Sequence, residues 1–292
     1  MQLSEKPVVT VGIPVFNGDK FLHKRLDSIL SQSFENFQVV ISDNASQDKT
    51  QEICEEYARK DSRILYTRQE SNMGALKNFQ FVLDNAESEF FVWAAVDDIW
   101  DENFLSKNIA ILQSRDEVVG SVSNVKPYGN NDKKVQNQSL LKKKLIPKGP
   151  SELHSISGAF EQRIRFYLKN SSCSVIYAVF RTDELKKGFI TKLFLGNDWA
   201  INLSMLKFGD IHVVNEDLLF KFSQGVSTND IFSLSRSFNK SFFGQIMPWS
   251  QFTVWCARNL GMKVFLKNLD YFFVLNYKGF MAQMAALKSK SK

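Results

Sequence analysis

VVTVGIPVFNG, residues 8–18, sets the architecture. It begins as a short apolar run rich in β-branched residues, reaches Pro14 and opens into a polar loop. That is the pattern of a buried strand feeding a strand-end loop. The same alternation repeats outward from it. Leu22, Leu26, Ile29 and Leu30 recur at helical spacing. Residues 37–41 read as a second strand. Ser46 or Asp48 suits the cap of the next helix, whose inner face carries Ile53 and Tyr57. Residues 63–67 are a third strand, followed by a helix with Leu76, Phe79 and Leu83 on one side. A fourth strand is expected at 90–96, a helix with Leu105, Ile109 and Leu112 after it, and a fifth strand at 118–125. Strands alternating with helices predict an α/β fold: a mostly parallel sheet with helices on both faces. Ligands of such sheets bind beyond the carboxyl ends of the strands.

After residue 125 the alternation breaks. Residues 126–157 are polar and aperiodic and read as a mobile, solvated loop; within them 126–148 hold seven Lys and one Asp. A helix is expected at 159–168, a strand at 174–180, a helix at 199–207, and a strand pair at 211–214 and 218–222. From about residue 232 the chain turns helical, aromatic and basic. The expected organisation is a domain at 1–228, divided into 1–125 and 126–228, and a helical C-terminal extension at 229–292.

Composition bounds the function. The 292 residues are 44% apolar and 23% charged, enough for a sizeable core. No apolar run approaches the roughly 20 residues of a membrane span, and the N-terminus lacks the pattern of a signal peptide. Three widely spaced Cys suit reduced thiols in a cytoplasmic protein. The net charge of +6 suits anionic partners. No helix-turn-helix, zinc-finger or RNP pattern accompanies it, so no nucleic-acid partner is expected. A dinucleotide fold would need G-x-G-x-x-G after the first strand, where Pro14 and Phe16 stand instead. The P-loop is absent too. A nucleotidyltransferase lacks a Gly-rich, basic loop there.

The strand-end loops hold the chemistry-bearing residues: PVFNG at 14–18, SDNASQDKT at 42–50, Asn72-Met73-Gly74, and Asp97-Asp98. This ordered set resembles the inverting family 2 glycosyltransferases of the GT-A fold, a Rossmann-like sheet that binds nucleotide-diphospho-sugars. The resemblance is strong over 7–125 and weaker over 174–228. It implies that Pro14, Phe16 and Asn17 form the donor loop, with Phe16 stacking on the nucleobase. It implies that Asp43 accepts the N3–H of uracil or thymine, which favours UDP- or dTDP-sugars, and that Asn72 and Gly74 line the donor site. Asp97 and Asp98 then hold Mn2+ or Mg2+ against the donor phosphates. The family's Asp-x-Asp-Asp departs here at Ala95, which removes a ribose contact. Asp198, in Gly196-Asn197-Asp198-Trp199, matches the family's general base, with Asn197 in place of Glu; helix capping is the competing reading. Phe220-Lys221-Phe222-Ser223 matches a segment that often carries a metal-binding His. Here the His is missing, and Lys221 is left to face phosphate.

The resemblance implies transfer to a hydroxyl of a glycan or lipid-linked glycan in cell-surface polysaccharide assembly. The alterations at Ala95, Asn197 and Ser223 keep a second reading open, a degenerate domain that binds nucleotide sugar without turnover. The tail at 242–287 interleaves aromatics with Arg258, Lys263, Lys267 and Lys278. It reads as a membrane-surface element, as a cap on the transferase core, or as a homodimer surface.

Overall fold

The computed structural model describes residues 6–129, 153–170, 172–222 and 242–290. The expected boundary at 228/229, Ser223 and most of the Lys-rich stretch lie outside them.

Eight strands form one sheet in the order β3-β2-β1-β4-β7-β6-β8-β5. β1 (Val9–Val15), β2 (Phe37–Asp43), β3 (Ile64–Arg68) and β4 (Phe90–Trp93) run parallel. The crossovers are α1 (Asp19–Leu30), α2 (Thr50–Lys60) and α3 (Ala75–Asp84). β6 (Val118–Tyr128) and β8 (Asp210–Phe222) are parallel to each other. β7 (Val179–Arg181) joins the two halves, antiparallel to both β4 and β6. The two-residue β5 (Ile99–Trp100) closes the edge, antiparallel to β8.

β1 is apolar at nearly every position because both its faces are covered, as parallel sheets require. One core lies between the sheet and α1, α2 and α4 (Phe104–Ser114), with Leu22, Leu26, Ile53 and Leu105 in it. The other lies on the opposite face. It is filled from α3, α5 (Phe160–Lys169), α6 (Thr182–Gly188) and α7 (Asn197–Met205) by Val82, Ile164, Leu185 and Leu203. The C-terminal helices α8 (Phe242–Ile246), α9 (Ser250–Asn259), α10 (Met262–Leu266) and α11 (Leu269–Lys290) contribute Phe252, Val264 and Phe272 to this second core.

Gly12 shows how tightly the centre is closed. A Cβ there would come to 2.6 Å from Phe91 Cζ and 2.9 Å from Val82 Cγ2. Gly12→Ala is therefore expected to cost about 1–3 kcal/mol by overpacking, read as a lower denaturation midpoint at unchanged slope.

Three elements differ from expectation. The fourth strand stops at Trp93, because the chain turns through Asp97 and Asp98 and returns as β5. Residues 174–180 are not one strand. A 3₁₀ turn, Cys173–Tyr177, precedes the short β7, and Ser172 Oγ accepts the Ser174 N–H at its start. The expected pair at 211–214 and 218–222 is one 13-residue strand. Its polar centre is an irregularity rather than a turn: Val214 faces Ser123 while Asp217 faces the next residue, Asn124, so Asn215 and Glu216 are extra. Extra residues of this kind make a bulge.

Candidate functional site

The register Val15↔Asp43 sets the loop after β1 beside the loop after β2, and β4 flanks β1 on its other side. The loops bearing Phe16, Asp43 and Asp97 thus share one rim. The first two loops are bolted together. Asn17 N–H donates to Ser46 Oγ at 2.9 Å, and Asn17 Oδ1 accepts the Gln47 N–H at 2.9 Å. Gly18 N–H donates to Thr50 Oγ1 at 2.8 Å. Asn17 sits at φ 51°, a left-handed conformation that Asn tolerates better than most residues. Its side chain therefore shapes the loop. Phe16, held at the tip, is 46% exposed.

Asp43 is placed differently from the sequence expectation. Its side chain is fully buried. Oδ1 accepts the Ser46 N–H at 2.8 Å, and Oδ2 accepts Tyr66 Oη–H at 3.1 Å and Arg68 Nη1–H at 2.9 Å. Arg68 also donates to Ser46 O at 2.9 Å and is the partly exposed member of the pair. Burial and the charge of Asp43 push the Tyr66 phenol pKa up, so it stays a donor. Asp43 Oδ2 is thus occupied by Tyr66 and Arg68. Asn72 and Gly74 also act within the protein: Asn72 Oδ1 accepts from Asn44 Nδ2 and from Gly74 N–H, each at 2.9 Å. Gly74 takes φ 87°, which favours glycine. Together they tie the third loop to the second.

The two acidic residues after β4 part company. Asp97 is half-buried, and its carboxylate takes no hydrogen bond from the described residues; its backbone carbonyl accepts from Tyr128 Oη–H. Asp98 is only 2% exposed, and its Oδ1 accepts the Phe222 N–H at 3.2 Å. Beneath it lies Arg25, fully buried, its Nη1 donating to Asp98 O at 3.3 Å and its guanidinium 3.9 Å from the Trp100 ring centroid. Burial lowers the Arg25 pKa to about 10, an effect opposed chiefly by Asp98. Burial pushes Asp98 up to about 6, with Arg25 pulling it back and Asp97 adding to the rise. Asp98 is thus an anchor between α1, β5 and β8. Its other carboxylate oxygen, Oδ2, is buried and takes no hydrogen bond from the described residues.

A divalent cation such as Mn2+ or Mg2+ takes oxygen ligands, often one or two carboxylates plus substrate phosphates. Asp97 fits that role. No group of three His, Cys, Asp or Glu side chains that could hold a metal occurs among the described residues.

Asp198 enters from the other half of the molecule. It lies in the first turn of α7, while the cap position is Gly196 at φ 85°. A carboxylate in that first turn also meets the free N–H groups of the helix start, so the helix-start reading stands beside the catalytic one. Burial raises its carboxyl pKa above the usual range, opposed by the Trp199 and Asp198 N–H groups and by Lys221. Asn197 is used locally, its Nδ2 donating to Lys192 O at 2.8 Å. Lys221 Nζ sits 5.2 Å from the Tyr177 ring centroid. Tyr177 is the meeting point: burial first, then the charges of Asp98, Cys173, Asp97 and Asp198, push its phenol pKa up. The acidic turn after β4 and the first turn of α7 therefore act on one side chain.

Arg25, Arg68, Tyr128 and Tyr177 are absent from the sequence-derived site. Arg25 carried a signal, since position 25 lies on the Leu22–Leu26–Ile29 stripe of α1, where a charge needs a buried partner. Tyr177 was hidden in a stretch read as strand, and Tyr128 in one read as loop.

The comparisons agree with this fold. A teichuronic acid biosynthesis glycosyltransferase of Bacillus subtilis, by its name, is 29% identical over 110 residues, 38% of this chain and 44% of that protein. For a glycosyltransferase of Rickettsia typhi the covered share is 35%, so the chain spans less than half the length of these relatives. Staphylococcus aureus TarS 1–349 with UDP-GlcNAc superposes at TM-score 0.59 and 17% identity, covering 86% of this chain and 73% of that one. The mannosyltransferase PcManGT of Pyrobaculum calidifontis, with GDP-Man and Mn2+, superposes at TM-score 0.60 and 16% identity, covering 99% and 76%. Both likenesses show the GT-A fold. The profile of Glycosyl transferase family 2 matches residues 10–189, more than half of the chain, and the chain belongs to that family.

Proposed function

We propose that the chain transfers a sugar, with inversion, from a UDP- or dTDP-sugar to a hydroxyl of a glycan or lipid-linked glycan at a cytoplasmic site. The observation that carries the reading is that the charges of Asp98, Asp97 and Asp198 all bear on buried Tyr177, whose ring centroid lies 5.2 Å from Lys221 Nζ. A transferase needs charge compensation for the departing diphosphate and a base for the incoming hydroxyl, placed side by side. Asp198 takes the acceptor proton as that oxygen bonds to the anomeric carbon. The bond from that carbon to the diphosphate oxygen breaks on the opposite side. Lys221 would meet the diphosphate. Asp97 would hold Mn2+ or Mg2+, which supplies further positive charge there. The UDP-GlcNAc and GDP-Man of the two solved neighbours support a nucleotide-sugar donor. The name of the B. subtilis relative supports a polysaccharide acceptor.

The uracil or thymine preference rests on the Asp43–Arg68 pair, which sets an acceptor beside donors. With Arg68 turned outward, the pair complements the N3–H and the flanking carbonyls of those bases. Phe16 supplies the stacking face. The test is transfer or donor hydrolysis across a panel of nucleotide sugars, with and without Mn2+. Tight donor binding without turnover on a broad acceptor panel would favour the degenerate domain instead. Phe16→Ala is expected to raise the donor KM about ten- to a hundredfold with a smaller change in kcat, from a stacking loss of about 1–3 kcal/mol. An unchanged KM would remove Phe16 from the base site.

A further inference from the structure

The last two helices hide one face and show another that is also apolar. Phe272, Leu275 and Ala282 of α11 are buried. On the outer side Leu269, Phe273, Tyr277 and Met281 follow one another at four-residue spacing, which on a helix makes a single stripe. Phe273 is 75% exposed, Tyr277 56% and, on α10, Met262 61%. The Phe273 and Tyr277 rings stack with centroids 6.5 Å apart and planes 6° apart. Of the thirteen large exposed apolar side chains among the described residues, seven fall between 262 and 281. Monomeric soluble proteins rarely leave such a patch uncovered.

Charge identifies what covers it. The chain has 37 basic and 31 acidic residues. Residues 242–292 hold seven of the basic ones and Asp270 as the single acid, which leaves thirty of each sign in the rest. The whole excess of +6 therefore belongs to the segment that carries the apolar stripe. Asp270, beside the stripe, is paired with Arg165 at 3.3 Å, and Lys263 and Lys267 both pair with Glu161, two bases on one acid, so the segment keeps a basic surplus after pairing. A second copy of this chain, related by a two-fold axis, would bring like-charged segments together. Negatively charged lipid headgroups match both features, the basic excess outside and the aromatic stripe within.

We propose that the outer face of α10 and α11 docks on an anionic lipid surface, with Phe273 and Tyr277 entering the headgroup layer. None of the helices among the described residues is long and apolar enough to cross a membrane; the contact lies in the interface plane. The inner side of α11 meets the turn between α8 and α9 at Gly279, where an added Cβ would come to 2.6 Å from Trp249 Cδ1. Trp249 in turn stacks on Trp199, one residue after Asp198, with centroids 5.1 Å apart. One helix thus stands between the lipid-facing stripe and the helix bearing Asp198. The docking itself is independent of the donor assignment.

The test is flotation of the full chain with vesicles of phosphatidylglycerol and phosphatidylcholine in equal parts, beside vesicles of phosphatidylcholine alone. The expected result is flotation with the anionic vesicles, weakened by added salt. A Phe273→Glu, Tyr277→Glu double variant is expected to bind at least about tenfold more weakly. Both side chains are exposed, so its thermal melt should match the parent. Three results would each overturn the proposal: no flotation at low salt, equal flotation on neutral vesicles, or a dimer in sedimentation equilibrium that the double variant dissolves.

Discussion

Asp97→Asn is expected to lower sugar transfer about a hundred- to a thousandfold at saturating donor and added Mn2+, while the thermal melt stays unchanged. A bound cation stabilises charge on a leaving group by several kcal/mol, and each 1.36 kcal/mol is a factor of ten in rate. The carboxylate takes no hydrogen bond from the described residues and is only half-buried, so removing its charge leaves nothing in the fold unpaired. Asp98→Ala is the contrasting variant. It takes away the charge that opposes buried Arg25 and the acceptor of the Phe222 N–H, and should show first as lost stability. Rates measured with and without a chelator separate the two. If Asp97→Asn kept wild-type transfer and wild-type dependence on Mn2+, Asp97 would lose its assignment. Loss of the Mn2+ response in Asp98→Asn with a normal melt would assign the metal role to Asp98.

That contrast shows what could be read from residues alone. The parallel half was legible because each strand is buried on both faces and each helix carries one apolar stripe; these local patterns fix element type and order. The ordered loops at 14–18, 42–46, 72–74 and 97–98 were legible for the same reason, since each follows a strand on the ligand-binding edge. What a side chain does within a loop was not. Asp43, Asn17 and Asn72 are polar residues in loops, and spacing cannot tell a ligand contact from a bond to the neighbouring loop. Their partners, Arg68, Gln47 and Asn44, are 25, 30 and 28 positions away in sequence. Asp97 and Asp98 are chemically identical neighbours, and spacing cannot tell that the first is half-buried while the second is 2% exposed beside Arg25. The second half was harder still. β7 has three residues, flanked by a 3₁₀ turn and a helix, and its pairing joins strands distant in the chain. β8 keeps its run through Asn215-Glu216-Asp217 only because a bulge absorbs them, and no periodicity announces a bulge.

The general base is the assignment that crosses from one half to the other, and its test is a pH profile. Asp198→Asn is expected to lower kcat about 10²- to 10⁴-fold, with donor affinity nearly unchanged, because the amide keeps the size of the side chain and cannot take a proton. The base works only when ionised. Burial lifts its folded pKa above the ordinary carboxylate value, so the active fraction is complete only above that raised pKa and falls as pH drops through it. The acid limb of kcat should therefore lie at higher pH than an unperturbed aspartate would give, and Asp198→Asn should lack it. Lys221 pulls the same pKa down, so Lys221→Ala should carry the limb to still higher pH while also weakening donor use. A merely structural Asp198 would alter the melt and leave the position of the limb where it was. If the limb survives in Asp198→Asn, the proton goes elsewhere, and the convergence of α7 with the acidic turn on Tyr177 would lose its catalytic meaning.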